Sequence, residues 1–171
     1  MRLFGKRTHF NFDEIFHQYK DSVYKMIRRT VFSHDDTMDI SQNVFINIYK
    51  YLPGFKGDSD ISTWIYRITV NETLRFLNQK YEKQKSYVED LEQKYSDHQI
   101  VDRVFSEKEI EEIFEKALAS LPEKQRIVFS LRYYDEMPYQ QMSEVLSTSE
   151  GALKASYHQA VKKIEDFIKR Y

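Results

Sequence analysis

The side chains that usually make and break bonds are sparse or badly placed in this 171-residue chain. There is no cysteine, which excludes disulfides, thiol nucleophiles and thiolate metal sites. The five histidines, His9, His17, His34, His98 and His158, are scattered without ligand spacing, so no metal site is expected. No pair of carboxylates is set out for acid–base work, and no Gly-rich phosphate loop exists. The expectation is a protein with no catalytic residues of its own and no cofactor. What remains is binding chemistry, and one pattern carries it. A short helical stretch over 139–146 is followed by a break at 147–149 and a longer amphipathic stretch from about 150 to 169. This is a helix-turn-helix candidate. Tyr139, Met142 and Val145 would hold its first helix on Leu153 and Tyr157, leaving the start of the second to project into a major groove. Gly151 would let a DNA backbone approach closely, where helix-end amides favour a phosphate. Two packed helices of a plain bundle show the same pattern.

The elements that must position such a site are helical throughout. The chain is 41% hydrophobic and 15% aromatic, enough to build a core, and its 4 glycines and 3 prolines disfavour many-turned β folds. Asn11 with Glu14, and Ser33 with Asp36, carry the spacing of capping boxes. Phe12, Phe16, Tyr19, Val23 and Met26 recur at helical spacing in the first helix. Met38, Ser41, Val44, Phe45, Ile48 and Tyr49 are read as the buried stripe of the second. Pro53 should stop that helix. A loop over 54–60 holds two glycines, and a third helix from near Ser62 carries Trp64, Ile65, Ile68, Leu74 and Leu77. Ser106 with Glu109 opens a fourth, and Pro122 sits just inside a fifth, where its missing amide is tolerated. No segment alternates with period two, so the fold is read as all-α.

Charge divides the chain. Residues 1–80 carry 12 basic and 9 acidic side chains, residues 81–110 carry 5 and 8, and residues 111–171 carry 9 and 10. The polar, weakly periodic middle reads as a linker between two small helical domains. A net charge of −1 argues against indiscriminate coating of nucleic acid. The basic N-terminus lacks the apolar stretch of a signal peptide, and no apolar run is long enough to span a bilayer, so a cytoplasmic protein without membrane insertion is expected.

Several motifs, taken in order, resemble the extracytoplasmic-function sigma factors of the sigma-70 family. DDTMDISQNVF over 35–45 is similar to that family's core-polymerase-binding helix, and FKGDSDISTWIYRITVN over 55–71 to its promoter-melting segment. LPEKQRIVF over 121–129, YQQMSEVL over 139–146 and SEGALKASYH over 149–158 resemble its C-terminal domain. The resemblance covers about residues 11–170. It implies region 2 over 1–80, a linker over 81–108 and region 4 over 109–171. It implies a specificity subunit of bacterial RNA polymerase that directs initiation at −10 and −35 elements and promotes melting.

The resemblance assigns roles residue by residue. Asp36, Asp39, Gln42, Asn43 and Phe45 would meet the clamp coiled coil of core polymerase. Asp36 also complements its own helix dipole. Phe55, Lys56, Gly57, Asp58, Ser59, Arg67, Asn71 and Arg75 would handle the −10 element, where a flipped base needs a pocket to offset its unstacking. In that set Asn71 would read a base edge, and Arg67 would meet a phosphate or a structural carboxylate. Trp64, at helical spacing with Ile65 and Ile68, is read as core rather than a stacking platform. Gly151, Lys154, Ala155, Ser156, His158 and Gln159 would face the −35 element. The family often has Arg where Ser156 and Gln159 stand, and Gly where Ser147 stands. Fewer charges mean weaker autonomous DNA binding. The family is commonly held inactive by a membrane-linked anti-sigma factor, a further expected partner, and its linker runs through the RNA exit channel. A dimeric helix-turn-helix regulator leaves the 55–71 segment unexplained, and a bare helical interaction protein explains neither motif.

Overall fold

The computed structural model describes residues 10–85 and 106–170, and every regular element among them is helical. The elements are α1 (Phe12–Val31), α2 (His34–Tyr51), a 3-10 turn (Leu52–Gly54), α3 (Ile61–Lys85), α4 (Glu107–Ala119), α5 (Glu123–Tyr133), α6 (Tyr139–Leu146) and α7 (Glu150–Ile168). Most of the expected linker, residues 86–105, lies outside the described residues. At its edges α3 runs on to Lys85 and the cap of α4 is Ser106.

Helix ends follow local chemistry, with three departures from expectation. Asn11 caps α1 by accepting from the amide of Asp13 rather than through a box with Glu14. Ser33 caps α2 through the Asp36 amide, 3.2 Å away, but the Asp36 carboxylate goes elsewhere, so the box is half made. Pro122 is the N-cap residue of α5, one position outside the helix. The expected box at α4 is complete: the Glu109 amide donates to Ser106 Oγ and the Ser106 amide to Glu109 Oε2.

α1, α2 and α3 pack on one another, and α7 packs on α4, α5 and α6. Met26, Ile27, Val44, Ile48 and Ile65 are fully buried in the first bundle. Ile127, Leu131, Met142, Leu153 and Ala160 are fully buried in the second. Full burial of each larger aliphatic side chain contributes roughly 1.5–3 kcal/mol. The buried arc of α2 is Thr37, Ile40, Val44, Phe45 and Ile48. The stripe expected through Met38 and Tyr49 is thus turned about one residue too far. These two are 52% and 67% exposed, because α2 sits between α1 and α3 and turns this second apolar stripe outward.

Threonine fills the inner face of α3. Thr63, Thr69 and Thr73 are buried, and the last two return their hydroxyls to the carbonyls of Ile65 and Thr69. A buried hydroxyl must find such an acceptor. The two bundles also touch, α3 against α6 and α1 against α5, and one apolar cluster runs from Met26 and Ile65 to Leu131 and Met142.

Candidate nucleic-acid and partner interfaces

The outward stripe of α2 makes one wall of an apolar groove. Met38, Gln42, Phe45 and Tyr49 follow one another at steps of four, three and four, and Phe12 and Phe16 of α1 form the other wall. The groove has a volume of about 710 Å³. Phe45 is only 9% exposed, its ring edge-on to Phe16 at 4.8 Å, so it forms the floor. Tyr49 stands edge-on to Phe12 at 5.2 Å. Asp39 and Gln42 are exposed among the lining residues, and Asn43 is exposed beside them. Asp36 is not part of the lining: its carboxylate lies 2.6 Å from Lys80 Nζ, tying α2 to α3. Met38, Ile46 and Tyr49 were missed as surface residues. Their signal was present as a second apolar stripe beside the buried one.

The loop over 55–60 is anchored at its start. Phe55 is half-buried between Phe10 and Trp64, with ring centres 5.7 and 5.2 Å away, so its ring serves the fold. Trp64 is half-buried against the core, as its spacing suggested. Lys56, Gly57 and Asp58 are exposed and Ser59 is half-buried. Gly57 has φ +76, a conformation that disfavours any side chain, and it turns this loop.

Along α3, Thr63, Arg67, Asn71 and Arg75 recur at intervals of four and share one face. Asn71 is exposed. Arg75 pairs with Glu72, whose other oxygen accepts from Asn47 at 2.9 Å. Among the described residues Arg67 meets no carboxylate. Its Nε donates to the backbone oxygen of Glu144, in α6, at 3.2 Å, because the second bundle lies over this end of the helix.

The helix-turn-helix has the expected parts. Ser147 takes φ +50 between α6 and α7, and Ser149 caps α7 through the Ala152 amide. Met142, Val145 and Leu153 are buried between the two helices. Gly151, Lys154, Ala155 and His158, at intervals of three, one and three, are all exposed on one face. A Cβ built at Gly151 meets nothing within 4 Å, so the fold itself does not demand glycine there. Lys154 Nζ lies 3.7 Å from Glu150 and 5.5 Å from the centre of the Tyr139 ring. Ser156 is half-buried. Gln159 is drawn away from the exposed face, its side-chain oxygen accepting from Gln125 at 3.1 Å.

Sequence reasoning missed the residues between the bundles. Arg126 of α5 donates to the backbone oxygens of Leu118, Ala119 and Leu121 in its own bundle and to Thr30 in α1. Burial lowers its pKa, opposed by Glu123. Arg29 stacks on Tyr134 at 3.9 Å and pairs with Asp135 at 3.5 Å. Burial pushes the Asp135 carboxyl up to about 6, with Arg29 pulling the other way. Burial, with the charge of Asp135, pushes the neighbouring Tyr66 phenol up to about 12. No one-dimensional pattern marks these residues, because their partners are set by how the bundles meet.

Among the described residues no group of His, Asp and Glu could hold a metal ion, and no helix is long and apolar enough to cross a membrane.

Comparison with known proteins places these surfaces in a family. Residues 15–93 match Sigma-70 region 2, and residues 111–164 match Sigma-70, region 4. The chain is 27% identical over 162 residues to the RNA polymerase sigma-H factor of Pseudomonas aeruginosa, covering 90% of this chain and 84% of that one. It is 27% identical to the ECF RNA polymerase sigma factor SigW of Bacillus subtilis over 86% of this chain and 83% of that one. Its fold is similar to that of the sigma factor RpoE from Bartonella quintana, solved in complex with the anti-sigma factor NepR. That likeness has a TM-score of 0.73 at 16% identity and covers 92% of this chain and 96% of that one. CnrH, solved with the cytosolic domain of CnrY, gives a TM-score of 0.65 at 17% identity over 92% of this chain and 87% of that one. With both regions matched in order on one chain, the protein belongs to the sigma-70 family, as a sigma factor of the extracytoplasmic-function type.

Proposed function

We propose that the chain binds core RNA polymerase through the α1–α2 groove, with Asp39, Gln42 and Asn43 at the contact, and performs no chemistry of its own. Residues 1–80 form the polymerase-binding and −10 domain, residues 109–171 the −35 domain, and residues 81–108 join them. Lys56, Gly57, Asp58, Ser59 and Asn71 receive bases unstacked at the −10 element, and Arg75 meets its backbone. Gly151, Lys154, Ala155 and His158 face the −35 element. The single observation that supports this best is the exposed face of α7 at the head of a helix-turn-helix, matched to region 4, on the same chain as a region 2 match.

The relatives named as sigma factors, and the similar fold of the sigma factor RpoE solved with the anti-sigma factor NepR, support a cytoplasmic role in transcription and capture by an anti-sigma protein. The apolar groove offers such a partner an amphipathic helix site. Transcription in vitro tests the whole reading: purified chain, core polymerase and a library of promoter fragments should yield start sites that depend on the chain. If the chain associates with core polymerase and no new start site appears, the promoter-directing role is lost.

A further inference from the structure

A chain of side-chain hydrogen bonds joins α5 to α7 beside the exposed face of the helix-turn-helix. Lys163 Nζ donates to Gln125 Oε1 at 2.9 Å, and Gln125 Nε2 donates to Gln159 Oε1 at 3.1 Å. Gln125 stands in the first turn of α5, half-buried where that helix packs on α7. Gln159 and Lys163 are four apart on α7 and share the side turned toward it. Gln159 is also four residues from Ala155 and next to His158, both exposed. It therefore occupies the rim between that exposed face and α5.

The chain of bonds has a direction. A lysine ammonium only donates, so Gln125 must offer it the carboxamide oxygen. The Gln125 nitrogen then remains for Gln159, which must answer with its own oxygen. A carboxamide is planar, with oxygen and nitrogen on separate arms. With its oxygen held toward α5, Gln159 is left with N–H donors to offer, and among the described residues no hydrogen bond engages that nitrogen.

A free glutamine carries a donor and an acceptor and matches adenine with both. A glutamine held this way matches acceptors: O6 and N7 of guanine, O4 of thymine, or a phosphate oxygen. We propose that Gln125, fixed by Lys163, is a positioning residue that makes Gln159 a donor-only contact to the −35 element. The inference rests on the −35 reading of α7 and adds to it a residue of α5 that acts without touching DNA.

Gln125→Glu reverses the direction. A carboxylate accepts from Lys163 and from Gln159 alike, so the Gln159 nitrogen turns inward and its oxygen faces out. Gln125→Leu breaks the chain and lets Gln159 turn either way. The experiment is transcription by core polymerase with the full chain, from promoters in which each −35 base pair is replaced in turn, with circular dichroism to show that each variant is folded. At one position the native chain should favour guanine or thymine over adenine or cytosine by about threefold to tenfold, on the scale of a base contact. Gln125→Leu should flatten that preference, and Gln125→Glu should move it to adenine or cytosine, whose amino groups donate. A phosphate partner gives a different result: base preferences stay fixed, and Gln125→Glu lowers every promoter alike. That loss should be roughly threefold smaller once Gln159→Leu is also present, which separates the contact from the added charge. The proposal is overturned if native, Leu and Glu proteins share one set of base preferences and the Gln125→Glu loss is the same with and without Gln159→Leu. A native chain indifferent to every −35 replacement would instead overturn the −35 reading, and this inference with it.

Discussion

Arg126 Nη1 lies 2.6 Å from the backbone oxygen of Thr30, 96 residues away in sequence. The same guanidinium reaches Leu118, Ala119 and Leu121, so one side chain closes the end of α4 and clasps α1. Only a planar fork of donors serves four carbonyls at once. Arg126→Ala should destabilise the protein by about 3 kcal/mol in urea unfolding, the sum of several modest charged hydrogen bonds. Arg126→Lys should recover less than half of that. Equal stability of Lys and native proteins would show that charge alone, without the fork, suffices.

Asp135 makes stability depend on pH in an unusual direction. Its carboxyl is raised to about 6 from 3.8, so between these values the folded chain holds more protons than the unfolded one. This group's contribution is fully present below pH 3.8 and is lost as pH rises through about 6. The effect is on the order of 2–3 kcal/mol. Arg29 and the Tyr66 phenol are the groups facing it, and the phenol, pushed up to about 12, does not titrate in that window. Asp135→Asn should therefore be the more stable protein at pH 7, with the difference vanishing near pH 4. A difference that does not change between pH 4 and 7 would remove Asp135 as its source.

The α2 surface separates two kinds of acidic residue. Asp39→Ala with Gln42→Ala should weaken binding to core polymerase about tenfold, roughly 1.4 kcal/mol, with an unchanged melting temperature. Asp36→Ala should do the reverse: it removes the pairing with Lys80 and leaves polymerase affinity nearly as it was. Affinity by fluorescence anisotropy and melting by circular dichroism check both halves. A lowered melting temperature in the Asp39 and Gln42 variant, with unaltered affinity, would assign these residues to folding.

These residues show how far the sequence could be read. The helices and the helix-turn-helix follow from periodicity, caps and prolines, which act within a few residues, and the order of the two regions from the motifs that resemble the family. The rotation of α2 does not, because both of its stripes are apolar and only the position of α1 and α3 decides which is inside. Arg67, expected on phosphate or carboxylate, lies on the Glu144 carbonyl because a helix 77 positions away covers it. Arg126, Arg29 and Asp135 gave no signal, since their roles exist only where the bundles meet.

Ser147 stands where the family often has glycine, and its φ of +50 explains that preference. A left-handed residue with a Cβ costs about 1 kcal/mol or more relative to glycine. Ser147→Gly should raise stability by about 1 kcal/mol in urea unfolding and leave the α6–α7 angle unaltered. A loss of stability would mean that the added freedom of the unfolded chain outweighs the relieved strain.

Lys154 tests what the exposed face of α7 does. It follows Gly151 by three residues, on the side opposite the buried Leu153. Its ammonium lies between Glu150 and the Tyr139 ring, at the edge of the face where a phosphate would pass and drawn back toward the helix start. A base contact would discriminate at one position of the −35 element by roughly 1–3 kcal/mol. A phosphate contact strengthens binding to all sequences alike and steepens the salt dependence by about one unit. The position of the ammonium favours the phosphate. Lys154→Ala should therefore lower transcription from every −35 variant by a similar factor, and the loss should shrink as salt rises. Relaxed preference at a single base, with an unchanged salt slope, would reassign Lys154 to base reading. Indifference to Lys154, Ala155 and His158 substitutions alike at a −35-dependent promoter would remove α7 from the duplex interface.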